Sequence, residues 1–301
     1  MLSIILIVAS VIFFPGVIVK TKALFSGRKG QDILQPWHDI IRLLKKGSVY
    51  STSSSFVFQL GAPIYFATVI VAALFIPFEE NNCIISFSGD FVFFAYLLGL
   101  GRFMIIISAL DVSSAFEGMG ANREAFYSLL MEPAFFILLG SLAMFTGYSS
   151  FYDIFASLHY NSYFSFIIAI IAAYVLANIT LVETSRLPVD DPLTHLELTM
   201  VHEVMVLDHS GFDLGIIKIA NNIKFILFSM LSANCLIPQS LDLWMRIGIL
   251  FLMQVLFAAG IGWFESFRAR NKMIMNAQYI LSINAVAMIL IFAVMIIKNK
   301  I

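Results

Sequence analysis

The sequence predicts an all-α polytopic membrane protein with about eight transmembrane helices and one amphipathic helix at the membrane interface. Its 301 residues are 60% hydrophobic and only 12% charged, with a mean hydropathy of +0.92. An ordinary globular domain is roughly 45–50% apolar and about 25% charged. The apolar residues also form continuous runs, whereas the strands of a membrane barrel would show short alternating segments. We therefore expect one helical membrane domain covering residues 1–301.

Eight segments are long and apolar enough to cross a bilayer, which requires about 20 mostly apolar residues. The first segment has its basic residues after the apolar run rather than before it, which favours an uncleaved membrane helix over a signal peptide. The predicted spans are residues 2–19, 58–78, 91–110, 127–147, 163–182, 215–237, 244–264 and 279–297.

The distribution of Lys and Arg between the spans predicts the orientation of the chain. The connections after the first, third, fifth and seventh spans carry 12 basic residues, and the opposite side carries 3. Cytoplasmic loops of membrane proteins are enriched in Lys and Arg. We therefore expect a multi-pass membrane protein with the basic connections in the cytoplasm and both termini outside.

The first basic connection contains "DILQPWHDIIRLLKK", in which apolar residues recur at helical spacing opposite Lys and Arg. The segment is too short to span a bilayer and is typical of an amphipathic helix lying at the interface. Two roles remain open for it, namely a simple membrane anchor and a surface that docks a soluble partner.

Composition argues against several kinds of site in this chain. Cys83 and Cys235 form no C-x-x-C motif and no metal-ligand pattern. Iron–sulfur clusters are held mainly by several cysteine thiolates, so the chain is predicted to carry no cluster and no other cofactor. A net charge of −1, without a Gly-rich phosphate loop or a basic aromatic stripe, gives no support for nucleic-acid binding.

Four ionisable residues lie within or at the ends of predicted spans: Arg102, Asp111, Glu132 and Lys224. Such residues are costly in a bilayer and commonly mark ion pathways or proton relays. The alternative is a structural buried ion pair, and the sequence leaves both interpretations open.

The segment "ETSRLPVDDPLTHLELTMVHEVMVLDHSG", residues 183–211, concentrates ionisable groups beside the membrane. Asp191 and Pro192 predict the start of a helix in which His195, His202 and His209 recur every seven residues. Seven helical residues span about 10.5 Å, whereas zinc–nitrogen bonds are about 2.0–2.1 Å, so no two of these histidines can bind one zinc ion. Proton handling, ion pairing and a solvated face remain open for its six acids: Glu183, Asp190, Asp191, Glu197, Glu203 and Asp208.

Three stretches of this sequence together resemble subunit 1 of respiratory complex I. "ETSRLPVDDP", followed by "LEL" and "DHSG", resembles the loop after the fifth membrane helix in that family. "GRKGQDILQPWHDIIRLLKK" and "GANREAFYSLLMEP" resemble its first cytoplasmic loop and the segment with its arginine and helix-four glutamate. Leu193 and His195 stand where the complex I form has further acids, and the insert before "DHSG" is longer. The chain is therefore identified as a member of the branch found in membrane-bound nickel–iron hydrogenases and in hydrogenase-4 or formate-hydrogenlyase-type complexes.

The resemblance implies a coupling function without catalysis in this chain. The chain would anchor a soluble arm and link its redox chemistry to proton or sodium translocation, with iron–sulfur clusters and a nickel–iron centre in partner subunits. The residues expected to face the soluble arm are Arg28, Asp39 and Lys45. The residues that the resemblance implies for proton or ion coupling are Arg123, Glu132, Glu183, Arg186, Asp190, Glu197 and Asp208. We add Asp111, because it ends a predicted span, and Glu203, which is extra to the family pattern and could replace a missing acid.

The resemblance also implies partners and alternatives. The expected partners are soluble-arm subunits of hydrogenase or quinone-reductase type, antiporter-like membrane subunits and the lipid bilayer. The first alternative is the quinone-chamber subunit of an NADH:quinone oxidoreductase, with quinone as its ligand. The second is an autonomous ion transporter, which an inverted repeat with broken helices would favour, and the sequence shows no such repeat.

Overall fold

A computed structural model describes residues 2–77, 83–158, 162–191, 200–237 and 242–300, and these ranges fold entirely into helices and connecting turns. The helices in this part of the chain are α1 (Leu2–Phe25), α2 (Gln35–Leu44), α3 (Phe56–Ala73), α4 (Asp90–Asp111), α5 (Ala115–Thr146), α6 (Phe151–Ser157), α7 (Ser162–Glu183), α8 (His202–Met205), α9 (Gly211–Leu236), α10 (Leu243–Phe267) and α11 (Met273–Lys300). Eight of them are long and apolar enough to cross a membrane, namely α1, α3, α4, α5, α7, α9, α10 and α11. The predicted fold class is thereby confirmed.

Helix α9 lies at the centre of the bundle and is the most buried of the spanning helices. It contacts α1, α2, α3, α7 and α10. Helices α3 and α4 also pack closely, because Gly61 faces Ser108 and Gly101 faces Thr68 at their crossing. Small residues at such crossings let membrane helices approach and gain van der Waals contact.

The amphipathic helix predicted after the first span is confirmed as α2. Pro36 lies in its first turn, where its missing N–H costs no helical hydrogen bond. Ile40 is buried beneath the helix, and Gly215 of α9 lets Leu43 and Leu44 pack closely against it. Helix α2 is therefore held on the outside of the bundle, across the ends of α1 and α9.

The fourth span begins earlier than the sequence predicted. Helix α5 starts at Ala115 rather than near residue 127, so most of the predicted connection before it is helical. The reason is packing, because Gly120 lies against Val204 and Met205 of α8 and holds this first part of α5 to the bundle. At 32 residues, α5 is about 48 Å long.

The continuous helix predicted from Pro192 through His209 is wrong over its described part. Residues 192–199, including His195 and Glu197, lie outside the described residues. From residue 200 onward the chain forms only the four-residue helix α8 and a turn before α9. Asp190 accepts hydrogen bonds from the N–H groups of Val201 and His202 at the start of α8. These two bonds tie the start of α8 to the connection after α7.

Candidate functional site

Five charged side chains from four helices meet inside the bundle, and we call them the central cluster: Arg102, Glu124, Glu132, Glu183 and Lys224. Arg102 Nη2 contacts Glu183 directly, and its Nε and Nη1 lie 3.7 Å from Glu124 and Glu132 respectively. Lys224 Nζ reaches the same Glu183 carboxylate at 2.6 Å. Glu183 therefore pairs with two cations, and Arg102 lies within reach of three carboxylates.

The central cluster lies at membrane depth and is largely buried. Arg102 is nine residues from the end of α4, or about 14 Å along the helix. The side chains of Arg102, Glu183 and Lys224 are only 9%, 8% and 4% exposed, whereas Glu132 is half exposed. Two cations against three carboxylates leave a formal charge of −1 if every group is ionised. Since an uncompensated charge is costly in a bilayer, the extra carboxylate is suited to binding and releasing a proton.

Helical spacing explains which residues of α5 reach the cluster. Glu124 and Glu132 are eight residues apart, slightly more than two turns, so both face Arg102. Arg123 points elsewhere, since its Nη1 donates to the Met200 carbonyl at 2.9 Å and its Nη2 lies 2.7 Å from Met119 Sδ. The predicted coupling set included Arg123 and omitted Glu124. The eight-residue spacing was the signal that could have found Glu124.

A chain of neutral polar groups approaches the central cluster from α3, α8 and α9. Tyr65 donates its hydroxyl to Asn221 Oδ1 at 2.5 Å, and Asn221 Nδ2 lies 2.8 Å from His202 Nε2. Burial lowers the pKa of His202, so its imidazole is held neutral. The predicted coupling set did not include these three residues, because they are far apart in the sequence and come together only in the folded chain.

Three openings converge on the cluster. One, of about 10 Å³, is lined by Asp190 and Ser185, and another of about 10 Å³ is lined by Tyr65, His202 and Lys224. A third, of about 60 Å³, lies between α4 and α5 beside Glu132. Arg102 and Glu183 line all three openings.

A second group of charges, the peripheral network, joins the ends of helices on the side with the basic connections. Its members are Lys22, Arg186, Asp190, Asp191, Glu265 and Arg270. Lys22 lies 3.5 Å from Glu265 and 3.9 Å from Asp191, and Arg186 lies 3.5 Å from Glu265. Three cations here face three carboxylates. The structure thus separates Arg186 from Glu183, although the two are only three residues apart in the chain.

Asp190 links the peripheral network to the opening beside Ser185, which it lines. Its carboxylate accepts from the N–H groups of Asp191, Val201 and His202 at 2.9–3.2 Å and pairs with Arg270 at 3.0 Å. Burial raises the pKa of Asp190, and these hydrogen bonds and Arg270 offset part of that rise. Asp190 is therefore both a structural anchor for α8 and a carboxyl group beside the route to the cluster.

Other members of the predicted coupling set lie away from the central cluster. Asp111 accepts from the backbone N–H and hydroxyl of Ser55 at 2.6 and 2.7 Å, and so ties α4 to the start of α3. Glu203 is partly buried on α8. Asp208 is exposed, and its backbone N–H donates to Glu117 at 2.9 Å.

The three residues predicted to dock a soluble arm are all exposed. Arg28 follows α1, Asp39 lies on α2, and Lys45 ends α2. They lie on the side with the basic connections, and their docking role stays a prediction. Among the described residues, no group of three or more His, Cys, Asp or Glu side chains is arranged to hold a metal ion.

A model of the NADH dehydrogenase family matches residues 1–297 of this chain. The chain belongs to this family. Formate hydrogenlyase subunit 4 and hydrogenase-4 component C, both of Escherichia coli strain K12, are 27% and 28% identical to it. The matches cover 74% and 75% of this chain and 72% and 70% of those proteins. An NADH-quinone oxidoreductase subunit of Neisseria meningitidis serogroup C is 27% identical over 79% of this chain and 69% of that protein.

A chain in a solved structure has the same fold as this protein. A chain of the membrane-bound sulfane sulfur reductase, an archaeal respiratory membrane complex, superposes with a TM-score of 0.82. The match covers 97% of this chain and 98% of that one at 18% sequence identity. The predicted family resemblance is confirmed, and the chain is a multi-pass membrane protein.

Proposed function

We propose that this chain is the membrane anchor and coupling subunit of a complex I-related oxidoreductase of the hydrogenase type. The central cluster is the observation that carries the proposal. It places three carboxylates and two cations at membrane depth, with openings toward Asp190 on one side and Glu132 on the other. Buried Asp, Glu and His groups of this kind serve as proton relays in membrane proteins.

In this proposal, redox chemistry takes place in partner subunits that hold iron–sulfur clusters and a nickel–iron centre. The soluble arm docks on the face that carries Arg28, Asp39 and Lys45, and antiporter-like membrane subunits complete the ion path. The membrane is the prokaryotic cytoplasmic membrane, with the basic connections inside and both termini outside. Likeness to formate hydrogenlyase subunit 4 and hydrogenase-4 component C supports this assignment.

The half-exposed Glu132 supports a neighbouring membrane subunit at α4 and α5. A carboxylate facing lipid at this depth is costly, and 50% of the Glu132 side chain is exposed. A polar or basic group of a neighbouring helix would reduce that cost and would extend the path beyond the opening of about 60 Å³ beside Glu132.

A second candidate is the quinone-chamber subunit of an NADH:quinone oxidoreductase. The similarity to the Neisseria meningitidis NADH-quinone oxidoreductase subunit favours it. A bound quinone in the purified complex, or inhibition by quinone-site ligands, would support this candidate. Nickel together with iron in the subunits that co-purify with a tagged chain would instead support the hydrogenase type.

The test of coupling compares the two charge groups within the intact complex. The complex is purified through a tag on this chain and reconstituted into liposomes, with reduced methyl viologen as the electron donor. A pH-sensitive dye and ²²Na⁺ report ion movement per electron. We expect Glu183→Gln and Glu124→Gln to lose ion translocation while electron transfer continues.

The matched control is Glu265→Gln, a buried carboxylate of the peripheral network. It should keep the wild-type number of ions per electron. The proposed function is wrong if Glu183→Gln and Glu124→Gln both retain full redox-linked translocation.

A further inference from the structure

Arg102 occupies a position that pairing alone does not explain. It lines each of the three openings, and so does Glu183. The paired side chains of Arg102 and Glu183 therefore separate the opening toward Asp190 from the opening toward Glu132, and we call this pair the wall.

The guanidinium also has hydrogen-bonding capacity to spare. Arg102 Nε and Nη1 are buried, and neither has a hydrogen-bond partner among the described residues. Each lies 3.7 Å from a carboxylate oxygen, Nε from Glu124 and Nη1 from Glu132. Charge-assisted N–H···O bonds are about 2.7–2.9 Å long, so a shift of about 1 Å would form either bond without backbone movement.

Glu183 does not depend on Arg102 for compensation. Lys224 Nζ holds the same carboxylate at 2.6 Å from the opposite helix, α9. Breaking the Arg102–Glu183 contact therefore leaves no buried charge without a partner, which is the costly outcome for a buried pair. The pair can open while the fold persists.

We propose that Arg102 is the gating residue of the central cluster, switching between Glu183 and the pair Glu124 and Glu132. This inference rests on the proposed coupling function and adds a positioning residue to it. A guanidinium stays protonated in proteins, so Arg102 moves no proton itself. Loss of a proton from Glu132 places a charge on α5, and the guanidinium turns toward it while Lys224 keeps Glu183 paired.

Movement of the guanidinium away from Glu183 connects the opening toward Asp190 with the opening toward Glu132. A proton that enters from the Asp190 side then binds the Glu132 carboxylate and removes its charge. Arg102 therefore returns to Glu183, and release of the proton outward from Glu132 begins the next cycle. One proton crosses in each cycle, and no other bond forms or breaks.

The first experiment measures closure of the wall directly, without turnover. In the complex carrying Cys83→Ser and Cys235→Ser, Gly99→Cys places a thiol in the opening beside Glu132, since a Cβ at Gly99 lies 4.0 Å from Glu132 Oε1. A small membrane-impermeant methanethiosulfonate is added on the side with the basic connections. With Arg102 intact we expect slow labelling, and Arg102→Gln should raise the rate about tenfold because the thiol gains access to solvent.

Ser128→Cys is the matched reporter, because Ser128 lines the opening on the Asp190 side of the wall. Its labelling should not depend on residue 102. The gate is disproved if Gly99→Cys labels equally fast with Arg102 and with Gln at that position.

The second experiment uses Arg102→Lys, which keeps the charge and thus guards against a failure of Arg102→Gln to assemble. A lysine can pair with Glu183 but lacks the planar fork that reaches three carboxylates. We expect slow Gly99→Cys labelling, as in the parent, together with a loss of ions moved per electron. A purely structural role predicts full rescue by Lys, and that result would overturn the gate.

The two hypotheses fail separately. If Glu183→Gln and Glu124→Gln abolish translocation while Arg102→Lys and Arg102→Gln retain it, the coupling function is supported and the gating role of Arg102 is disproved. If the two glutamate variants retain translocation, the coupling function itself falls.

Discussion

The central cluster and the peripheral network are built from the same charged residue types but have different roles. The peripheral network balances three cations with three carboxylates and joins the ends of α1 and α10 to the two connections at residues 184–191 and 268–272. The central cluster is unbalanced, has donors on Arg102 without a hydrogen-bond partner among the described residues, and lies among openings. Balanced, directly paired charges hold segments in place, whereas an unbalanced set with room around it can change its protonation state.

The largest expected effect tests the double compensation of Glu183. Lys224→Ala removes one of its two cations and leaves a cavity at a site that is 4% exposed. Because Arg102 alone would then face three carboxylates, we expect a loss of about 3–5 kcal/mol in unfolding free energy, as is typical of breaking a buried pair, and loss of coupling. Thermal unfolding of the detergent-purified complex measures stability, and the liposome assay measures coupling.

The matched control is Arg270→Ala in the peripheral network. Asp190 keeps three backbone hydrogen bonds after this change, so the loss should be smaller and coupling should persist. An equal loss of coupling in both variants would contradict the distinction between the two regions.

Acid pH can change the stability of both charge groups. A comparison of the two therefore requires the pH dependence of stability that arises from a third site, His209. His209 is buried, stacks on Phe58 at 4.1 Å, and has its pKa lowered to about 4 by burial. The unfolded chain takes up a proton near the ordinary value of 6.5, so stability is complete above pH 6.5 and falls between pH 6.5 and 4. The pKa difference corresponds to on the order of 3 kcal/mol.

His209→Tyr keeps a ring against Phe58 and removes this titration. We expect its unfolding temperature to change less between pH 6.5 and 4 than that of the parent. An unchanged pH profile would mean that the acid sensitivity arises elsewhere, with the two charge groups as the next candidates.

Glu265→Gln should have a moderate effect on stability. Its carboxylate pairs with Lys22 and Arg186, both of which are partly exposed and can be solvated. We expect a loss of about 1–3 kcal/mol, as for a buried group that loses charged hydrogen bonds, measured by thermal unfolding. A loss as large as that of Lys224→Ala would show that the peripheral network is as strongly desolvated as the central cluster.

Asp111→Ala should have the smallest effect. Asp111 only ties the end of α4 to Ser55 at the start of α3, a contact comparable to a helix cap. The expected loss is about 1 kcal/mol with unchanged ions per electron. A marked fall in coupling would return Asp111 to the coupling set and would extend the functional region to the membrane surface.

Hydropathy and helical spacing predicted the eight spans and α2, because membrane helices satisfy their own backbone and need only a long apolar run. The start of α5 was missed, because the contact between Gly120 and α8 is tertiary. The site was predicted in part. Glu132 and Glu183 were found as charges near apolar runs, but Arg186 follows Glu183 by three residues and points into another network. Side-chain direction beyond a helix end depends on the fold.

The length of α5 has a mechanical consequence. At about 48 Å the helix exceeds a hydrocarbon core of about 30 Å, so its first turns stand outside the core on the side with the basic connections. Those turns lie against α8, while Glu124 and Glu132 lie further along the same rigid rod. A displacement of α8 would therefore also move Glu124 and Glu132 relative to Arg102, because both carboxylates belong to the helix on which α8 packs.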